Sequence, residues 1–297
     1  MTNNALRLIE EPSLREPVLL ASFAGWNDAA EAATGAIRYL IRQWSAVKCA
    51  EIDPEDFYDF TEVCPTVRMA PGQQRQIDWP ANDVFYVADP KLPHDLVMLA
   101  GVEPQLRWRT FCGLLVEVIQ RLNIRQVILL GGLVADVPHT RPVRVSGGAN
   151  ESELTGRLEG MGLHGSRYEG PTGIVGVFSD ALRREGITCA SLWATVPHYI
   201  STANPRATEA LLTHVRTLLN LRIPLADLEQ EAQDFDLQVA RAVERDPEVA
   251  AYVRQLEESE GSEDEAGSER PELPTGDAVI RELEDFLRQS RGDSSDV

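Results

Sequence analysis

Three side chains of the sequence could be the working groups of an enzyme, namely His139, Arg141 and His198. A histidine can transfer a proton near neutral pH, and an arginine can hold an anionic group of a substrate. All three follow strongly apolar runs, and Asn27, after an earlier run, could join them. However, the chain has no GxSxG or HExxH motif and no nucleophile beside these groups. We therefore predict no catalytic residue and keep the enzyme as the alternative hypothesis.

The turn Gly25–Asp28 could bind an anion, because it joins an apolar run to a segment with helical spacing. Free N–H groups at the start of a helix attract phosphate and similar groups. Asp28 offers a simpler explanation, since its side chain can accept those N–H groups and Glu31 stands at capping-box spacing. A carboxylate at this place would also repel an anion, so we favour a capped turn over a ligand site.

Standard motifs for nucleotides and metals are absent from the sequence. A P-loop requires GxxxxGK[ST], and neither Lys48 nor Lys91, the two lysines of the chain, lies in such a context. The glycine pairs at 131–132 and 147–148 lack the GxGxxG spacing. The four cysteines form no CxxC pair, which favours buried thiols over a zinc site or disulfides. We therefore predict no cofactor and no metal.

The elements that would position these residues alternate between strand-like and helix-like segments. Strands or extended pieces are predicted at Pro17–Ala24, Val47–Ile52, Phe57–Val63, Thr66–Ala70, Asp83–Asp89, Gln126–Leu133, Arg141–Gly147 and Ile187–Val196. Helices are predicted at Ala30–Trp44, Pro104–Leu122, Thr172–Arg184 and Asn204–Leu219, with Thr172 and Asn204 as caps. This alternation predicts an α/β fold in which a single mostly parallel, mixed sheet has helices on both faces.

Ligands of such sheets bind beyond the carboxyl ends of the strands. Four loops should share that edge, namely Gly25–Asp28, Gly131–Thr140, Gly170–Gly173 and Pro197–Asn204. The candidates for ligand binding are the following residues of these loops: Gly25, Trp26, Asn27, Asp28, Gly131, Gly132, Thr172, Gly173 and Tyr199.

The negative charge is concentrated in the last quarter of the chain. The net charge is −19, and residues 225–297 contain 22 acidic residues against seven arginines. We expect an α/β body at 1–224, an acidic helical extension at 225–258, a flexible acidic linker at 259–273 and an amphipathic helix with a tail at 274–297. That helix would present Val279, Leu283, Phe286 and Leu287 to a partner. Acidic surfaces repel nucleic acid and anionic membranes, so neither is an expected partner.

Five ordered motifs resemble the proteasome assembly chaperone 2 family, in particular its actinobacterial branch. They are FAGWNDAAEAAT, FYDFTEVCPTVR, LLGGLVADVPHTRPVRVSG, GPTGIVGV and SLWATVPHYISTANPRATEALL, within Pro17–Leu221. The resemblance implies a phosphorylase/hydrolase-like fold, a homo-oligomer with a trimer as the first expectation, and proteasome core subunits as possible partners. Some archaeal relatives dock through a C-terminal hydrophobic-Tyr-any tripeptide, which the ending Ser295-Asp296-Val297 does not match.

These observations favour a non-enzymatic, oligomeric interaction protein that assists the assembly or handling of proteasome core particles. The alternative is a small-molecule enzyme or ligand-binding protein with a nucleoside-phosphorylase-like crevice. The family is also labelled as related to ATP-dependent carboligases, but the residues above do not support that activity. Because the first residues lack a basic region followed by an apolar stretch, we expect the protein in the cytoplasm.

Overall fold

The computed structural model describes residues 5–70 and 74–263, with side chains described as far as residue 259. A mixed sheet of eight strands runs through the described body. In spatial order its strands are β1 (Leu6–Leu8), β3 (Val47–Ile52), β6 (Asn82–Val87), β7 (Leu96–Val102), β2 (Val18–Ala24), β8 (Gln126–Ala135), β10 (Thr188–Pro197) and β9 (Val145–Ala149). The central strands β7, β2, β8 and β10 are parallel, and the flanking pairs are antiparallel.

Helices cover both faces of this sheet, so the predicted α/β class is confirmed. They are α1 (Ala32–Gln43), α2 (Trp108–Arg121), α3 (Ser152–Gly160), α4 (Ile174–Arg184) and α5 (Pro205–Leu218), followed by α6 (Ala226–Arg245) and α7 (Pro247–Glu263). None of the described helices combines the length and the apolar character that a membrane crossing requires.

Strand β2 explains why the sheet needs cover on both sides. Successive side chains of a strand point to opposite faces. Leu20 accordingly lies in the apolar core beneath α1 and α5, whereas Leu19 and Phe23 lie in the second core beneath α2 and α4. Burial on both faces is the reason that a central parallel strand is apolar along its whole length.

Several predicted elements differ from the structure. The segment Phe57–Val63 forms turns instead of an extended piece, because Phe57 and Tyr58 turn inward into the core. Strand β7 and helix α3 are present although no element was predicted there. Cys49, Cys112 and Cys189 are buried, as expected, but Cys64 is exposed because it lies in the loop after these turns.

An additional two-stranded sheet lies outside the main one. Strands β4 (Thr66–Ala70) and β5 (Gln74–Asp78) pair antiparallel with each other and join no other described strand. This hairpin connects the carboxyl end of β3 to β6. Since β3 and β7 both run antiparallel to β6, the hairpin leaves the body at the same edge as the carboxyl ends of the central strands.

Helices α6 and α7 pack onto the body, where a third apolar cluster joins them to Tyr199 and Ile200. Arg206 of α5 contacts Asp236 of α6 through two nitrogens, at 3.0 and 2.5 Å. The division of the chain at residue 224 stays a prediction. The predicted amphipathic helix, with Val279, Leu283, Phe286 and Leu287, lies outside the described residues, as does most of the predicted linker.

Candidate functional site

Backbone hydrogen bonds bring the predicted loops together at the carboxyl edge of the parallel strands. The N–H of Gly132, in β8, donates to the carbonyl of Asn27 at 2.8 Å, and Asp28 forms an isolated parallel bridge with Gly132. The N–H of Asn204 donates to the carbonyl of Ala30 at 2.8 Å, which adds the loop before α5. The sequence therefore located the edge at which these loops meet.

Asp28 binds the start of helix α1 and is only 7% exposed. Its Oδ1 accepts the backbone N–H groups of Ala33 at 2.8 Å and of Thr34 at 3.1 Å, and its Oδ2 accepts the Thr34 hydroxyl. Burial raises the pKa of this carboxyl, while the bonds from Thr34 and Ala33 act against that shift. The predicted reciprocal bond of a capping box does not form, because Ala30 and Glu31 adopt positive φ angles and Glu31 pairs with Arg38.

The start of helix α4 is capped from across the edge. Asn27 Oδ1 accepts the N–H of Val175 at 3.2 Å, and Glu103 Oε1 accepts the N–H of Ile174 at 2.7 Å. The other oxygen of Glu103 accepts the N–H of Trp26 at 3.0 Å. Thr172 was predicted as this cap, but Gly173 takes the N-cap position and offers no side chain.

Gly173 has a packing reason to be a glycine. A Cβ atom there would lie less than 3.0 Å from the side chain of Asn27, so the close approach that makes the Asn27 bond possible requires a glycine. Gly131 is likewise a packing residue, since a Cβ atom would clash with the ring of Trp193. Neither glycine needs a ligand to explain it.

Helix α5 has its own cap. The side chain of Asn204, which is buried, accepts the N–H of Ala207 at 3.0 Å, and Pro205 follows in the first turn. The predicted cap is therefore confirmed. Helix α2, which also begins at this edge after β7, has no side-chain cap. Helices α1, α4 and α5 have protein oxygens on one or two of their free N–H groups, and two of these acceptors, Asp28 and Glu103, are carboxylates. An anionic ligand would have to displace them and would be repelled by their charge.

The histidines of the alternative hypothesis form a cluster with two tyrosines. The hydroxyl of Tyr199, which is fully buried, accepts the N–H of His139 at 2.7 Å and lies 2.9 Å from His139 Nδ1. His198 Nε2 lies 3.2 Å from the hydroxyl of Tyr252 on α7, and His198 Nδ1 lies 3.3 Å from Asp136 Oδ1. Burial lowers the pKa of His139, although Asp236 and Glu257 raise it in part.

Helix α7 lies over this cluster. Tyr252 contacts His198 and Tyr199 edge to face, and Glu257 accepts a hydrogen bond from the Thr140 hydroxyl at 2.5 Å. The cavity that His139 and Arg141 help to line has a volume of about 20 Å³. A cavity of that size holds about one water molecule and no metabolite. The structure therefore packs both histidines against Tyr199, and the cavity beside His139 and Arg141 has no room for a substrate.

Arg141 does not point to a second catalytic arrangement. It is exposed, and its backbone N–H bonds to the carbonyl of Pro138 in a turn at 3.4 Å. The buried thiols are also unsuited to nucleophilic attack, because burial raises the pKa of Cys112 and of Cys189 to about 12. In the ranges 5–70 and 74–263, no group of three or more His, Cys, Asp or Glu side chains is placed to hold a metal.

Large apolar side chains are exposed at the same edge. Trp26 is 63% exposed, and Val134 at the end of β8 is 62% exposed. Three further residues are exposed to different degrees, namely Leu106 at 49%, Leu133 at 44% and Tyr168 at 66%. We call these five residues the edge patch. Of them, only Trp26 was among the candidates from the sequence, where it was considered for ligand binding.

The sequence analysis missed residues that contact the loops of this edge although they lie far from them along the chain. Glu103 follows β7, a strand that was not predicted, although the apolar run 96–102 before it was a usable signal. Tyr252 and Glu257 belong to α7, and their contacts with the histidine loops depend on how α6 and α7 fold back. No pattern in the sequence gives that direction.

The chain matches the model of the PAC2 family over residues 22–243. A crystal structure of a PAC2 family protein from Streptomyces avermitilis is 43% identical, with a TM-score of 0.72, and the match covers 80% of this chain and 99% of that chain. A proteasome-assembly chaperone homologue from Mycobacterium tuberculosis is 44% identical, with a TM-score of 0.71 and the same two shares.

A third crystal structure, of a Mycobacterium tuberculosis protein of unknown function, is 26% identical with a TM-score of 0.79. That match covers 89% of this chain and 91% of the other. No curated protein matches the sequence.

Proposed function

Because this chain belongs to the PAC2 family, we propose that it is a non-enzymatic, homo-oligomeric interaction protein that assists the assembly or handling of proteasome core particles. Its similarity to a proteasome-assembly chaperone homologue from Mycobacterium tuberculosis supports this role. We expect a trimer, acting in the cytoplasm. The main support comes from the carboxyl edge of the sheet. There the polar side chains bond to groups of the protein itself, while large apolar side chains face solvent.

The hydrogen bonds of the polar side chains at this edge disfavour a metabolite site. Small-molecule sites are concave and have a few polar groups that converge on the ligand. At this edge Asp28, Asn27 and Glu103 bond to backbone N–H groups of the protein itself. His139 bonds to Tyr199 and His198 bonds to Tyr252 of α7. Binding a small anion would require the protein to break these contacts first.

The exposed apolar residues of the edge patch favour a macromolecular partner. Single exposed apolar residues are common on protein surfaces, but a group of them at one edge marks an interaction site. Tryptophan and tyrosine are also enriched among the residues that dominate binding energies in interfaces. Trp26 and Tyr168 are two such residues in the edge patch, and both are more than 60% exposed.

Affinity capture of the tagged full-length protein from its native host tests this proposal. The amount of proteasome core subunits that co-purify would be measured by quantitative mass spectrometry. We expect Trp26→Ser combined with Val134→Ser to reduce this amount at least ~10-fold, the loss that removal of a hot-spot residue produces. Val47→Ser is the matched control, because Val47 is 51% exposed but lies at the start of β3, on the opposite edge.

Two results would contradict the proposal. The first is that no core subunits co-purify with the wild type, or that the wild type and the edge-patch variant capture equal amounts of them. The other is a saturable thermal shift with nucleosides, phosphate or ATP that disappears in Arg141→Ala, which would support the enzyme hypothesis. Light scattering on the purified protein measures the oligomer independently of any client.

A further inference from the structure

The hairpin of β4 and β5 exposes an apolar face. In an antiparallel pair, residues directly opposite each other lie on the same face. Val67 lies opposite Ile77, and Met69 lies opposite Arg75. Val67, Met69 and Ile77 are 61%, 60% and 53% exposed, and we call these three residues with Arg75 the hairpin face.

The other face of the hairpin is mostly polar, with Ala70 as its apolar residue. Arg68 and Asp78 form an ion pair at 2.5 Å, and Thr66 and Gln76 lie beside them. Trp79, just after β5, stacks edge to face on Phe60 and is still 50% exposed. The large apolar residues of the two strands are therefore confined to one side, which distinguishes this face from a hairpin that is exposed throughout by chance.

A two-stranded hairpin needs something to pack against. In water an isolated two-stranded hairpin is marginally stable at best, and it usually needs a third strand or a helix packed against its apolar face. Within the described part of the chain, β4 and β5 pair only with each other, and eight of their ten residues are exposed. We infer that the hairpin face is covered when the protein is fully folded.

The sequence contains one segment that fits this face and lies outside the described residues. Residues 279–287 place apolar side chains at helical spacing, and polar residues fill the positions between them. Five residues form the apolar side, namely Val279, Ile280, Leu283, Phe286 and Leu287. An apolar stripe of that width suits a shallow apolar surface.

The charges of the C-terminal portion and of the hairpin face are also complementary. The portion 264–297 contains ten acidic residues and four arginines. On the hairpin face, Arg75 forms no ion pair or side-chain hydrogen bond among the described residues. An acidic segment that lies on this face would bring its carboxylates near that guanidinium.

The length of chain is sufficient to reach the hairpin. Helix α7 ends at Glu263, and six residues before that end Glu257 contacts Thr140, which lies in the loop after β8, at the edge from which the hairpin leaves the body. The fifteen residues 264–278 can span up to roughly 50 Å when extended. A globular chain of this size has a radius of gyration of roughly 19 Å, so that span crosses the whole body.

We propose that residues 279–287 dock on the hairpin face of the same chain, with their apolar side covering Val67, Met69 and Ile77. The docked segment supplies the packing layer that the hairpin lacks. This inference is independent of the proposed role with proteasomes, because it concerns contacts within one chain.

Hydrogen exchange followed by mass spectrometry on the full-length protein tests the proposal. In Leu283→Asp with Phe286→Asp, we expect amides of residues 66–78 to exchange at least ~10-fold faster than in the wild type, because local opening then requires less free energy. Amides of β2 and β8 should be unchanged, which verifies that the body remains folded. Val67→Thr with Ile77→Thr, which preserves strand propensity, should in turn accelerate exchange in residues 279–287.

The matched control is Arg281→Gln with Gln289→Asp. It changes the net charge by the same amount as the test variant but leaves the apolar side intact, so hairpin exchange should equal that of the wild type. Unchanged exchange in the test variant would overturn the proposal, as would equal acceleration in the control. Protection of the hairpin that declines on dilution would also overturn it, because the face would then be covered by a second copy.

Discussion

The helix starts at the carboxyl edge and the hairpin of β4 and β5 use their side chains in opposite ways. At the edge, Asp28, Asn27 and Glu103 are partly or fully buried, and each bonds to backbone N–H groups. On the hairpin, Val67, Met69 and Ile77 face solvent. The polar groups that could act on a ligand are thus engaged, while apolar groups that could stabilise a contact are free.

This difference separates fold from function in the PAC2 family member described above. The parallel strands create an edge at which many α/β proteins bind ligands. Here that edge is closed by the protein's own carboxylates and by α7, so the fold alone is a poor guide to activity. Exposed apolar residues become the more informative feature, and they favour association.

Substitution of Asp28 should give the largest effect on the closed edge. Asp28→Ala leaves the N–H groups of Ala33 and Thr34 without their acceptor in a buried place, so we expect a loss of about 2–3 kcal/mol in the free energy of unfolding. Asp28→Asn keeps an oxygen for both N–H groups and should lose less than about 1 kcal/mol. Urea unfolding at neutral pH measures both values.

The same pair of variants has a defined pH dependence. Burial raises the pKa of the Asp28 carboxyl above 3.8, so the folded state takes up its proton at a higher pH than the unfolded state does. As the pH rises from below 3.8 through the raised pKa, the wild type should therefore lose stability relative to Asp28→Asn. A constant difference across this range, or phosphate binding gained by Asp28→Asn, would mean that the site is not a buried cap.

The sequence predicted the elements of this edge better than their partners. The apolar runs of β2, β8 and β10 are long because both faces are buried, and Asn204 with Pro205 marks the start of α5 by local rules alone. Asp28 also acts near its own position in the chain. Such features depend on neighbours in sequence, which is why they could be predicted.

The caps of α4 could not be predicted in that way. Asn27 and Glu103 accept N–H groups from residues 148 and 71 positions away, respectively, so these bonds are set by how loops meet in three dimensions. Thr172 satisfied the local rule for a cap and was wrong, because Gly173 allows Asn27 to approach so closely. The covering of His139 by α7 is a tertiary feature of the same kind.

Tyr199 offers a smaller test within the closed part of the molecule. In Tyr199→Phe the N–H and Nδ1 of His139 lose a common partner beneath α7, while the volume of the ring is nearly conserved. We expect a loss of about 1–2 kcal/mol in the free energy of unfolding, measured in urea. An unchanged value would show that water replaces the hydroxyl, and the cluster would then be open to solvent.

The hairpin should give the smallest change in the stability of the body. In a chain that ends at residue 263, and so lacks the proposed docking segment, Val67→Thr with Ile77→Thr removes apolar groups that are mostly exposed, so the free energy of unfolding should change by less than about 0.5 kcal/mol. Threonine retains a high strand propensity, so the hairpin itself can persist. Urea unfolding monitored by far-UV circular dichroism measures this, with Leu20→Ala as a core control that should cost about 2–5 kcal/mol. If the hairpin substitutions cost as much as the core control, the hairpin would be part of the cooperative core, and its exposed face would not be a separate surface awaiting a partner.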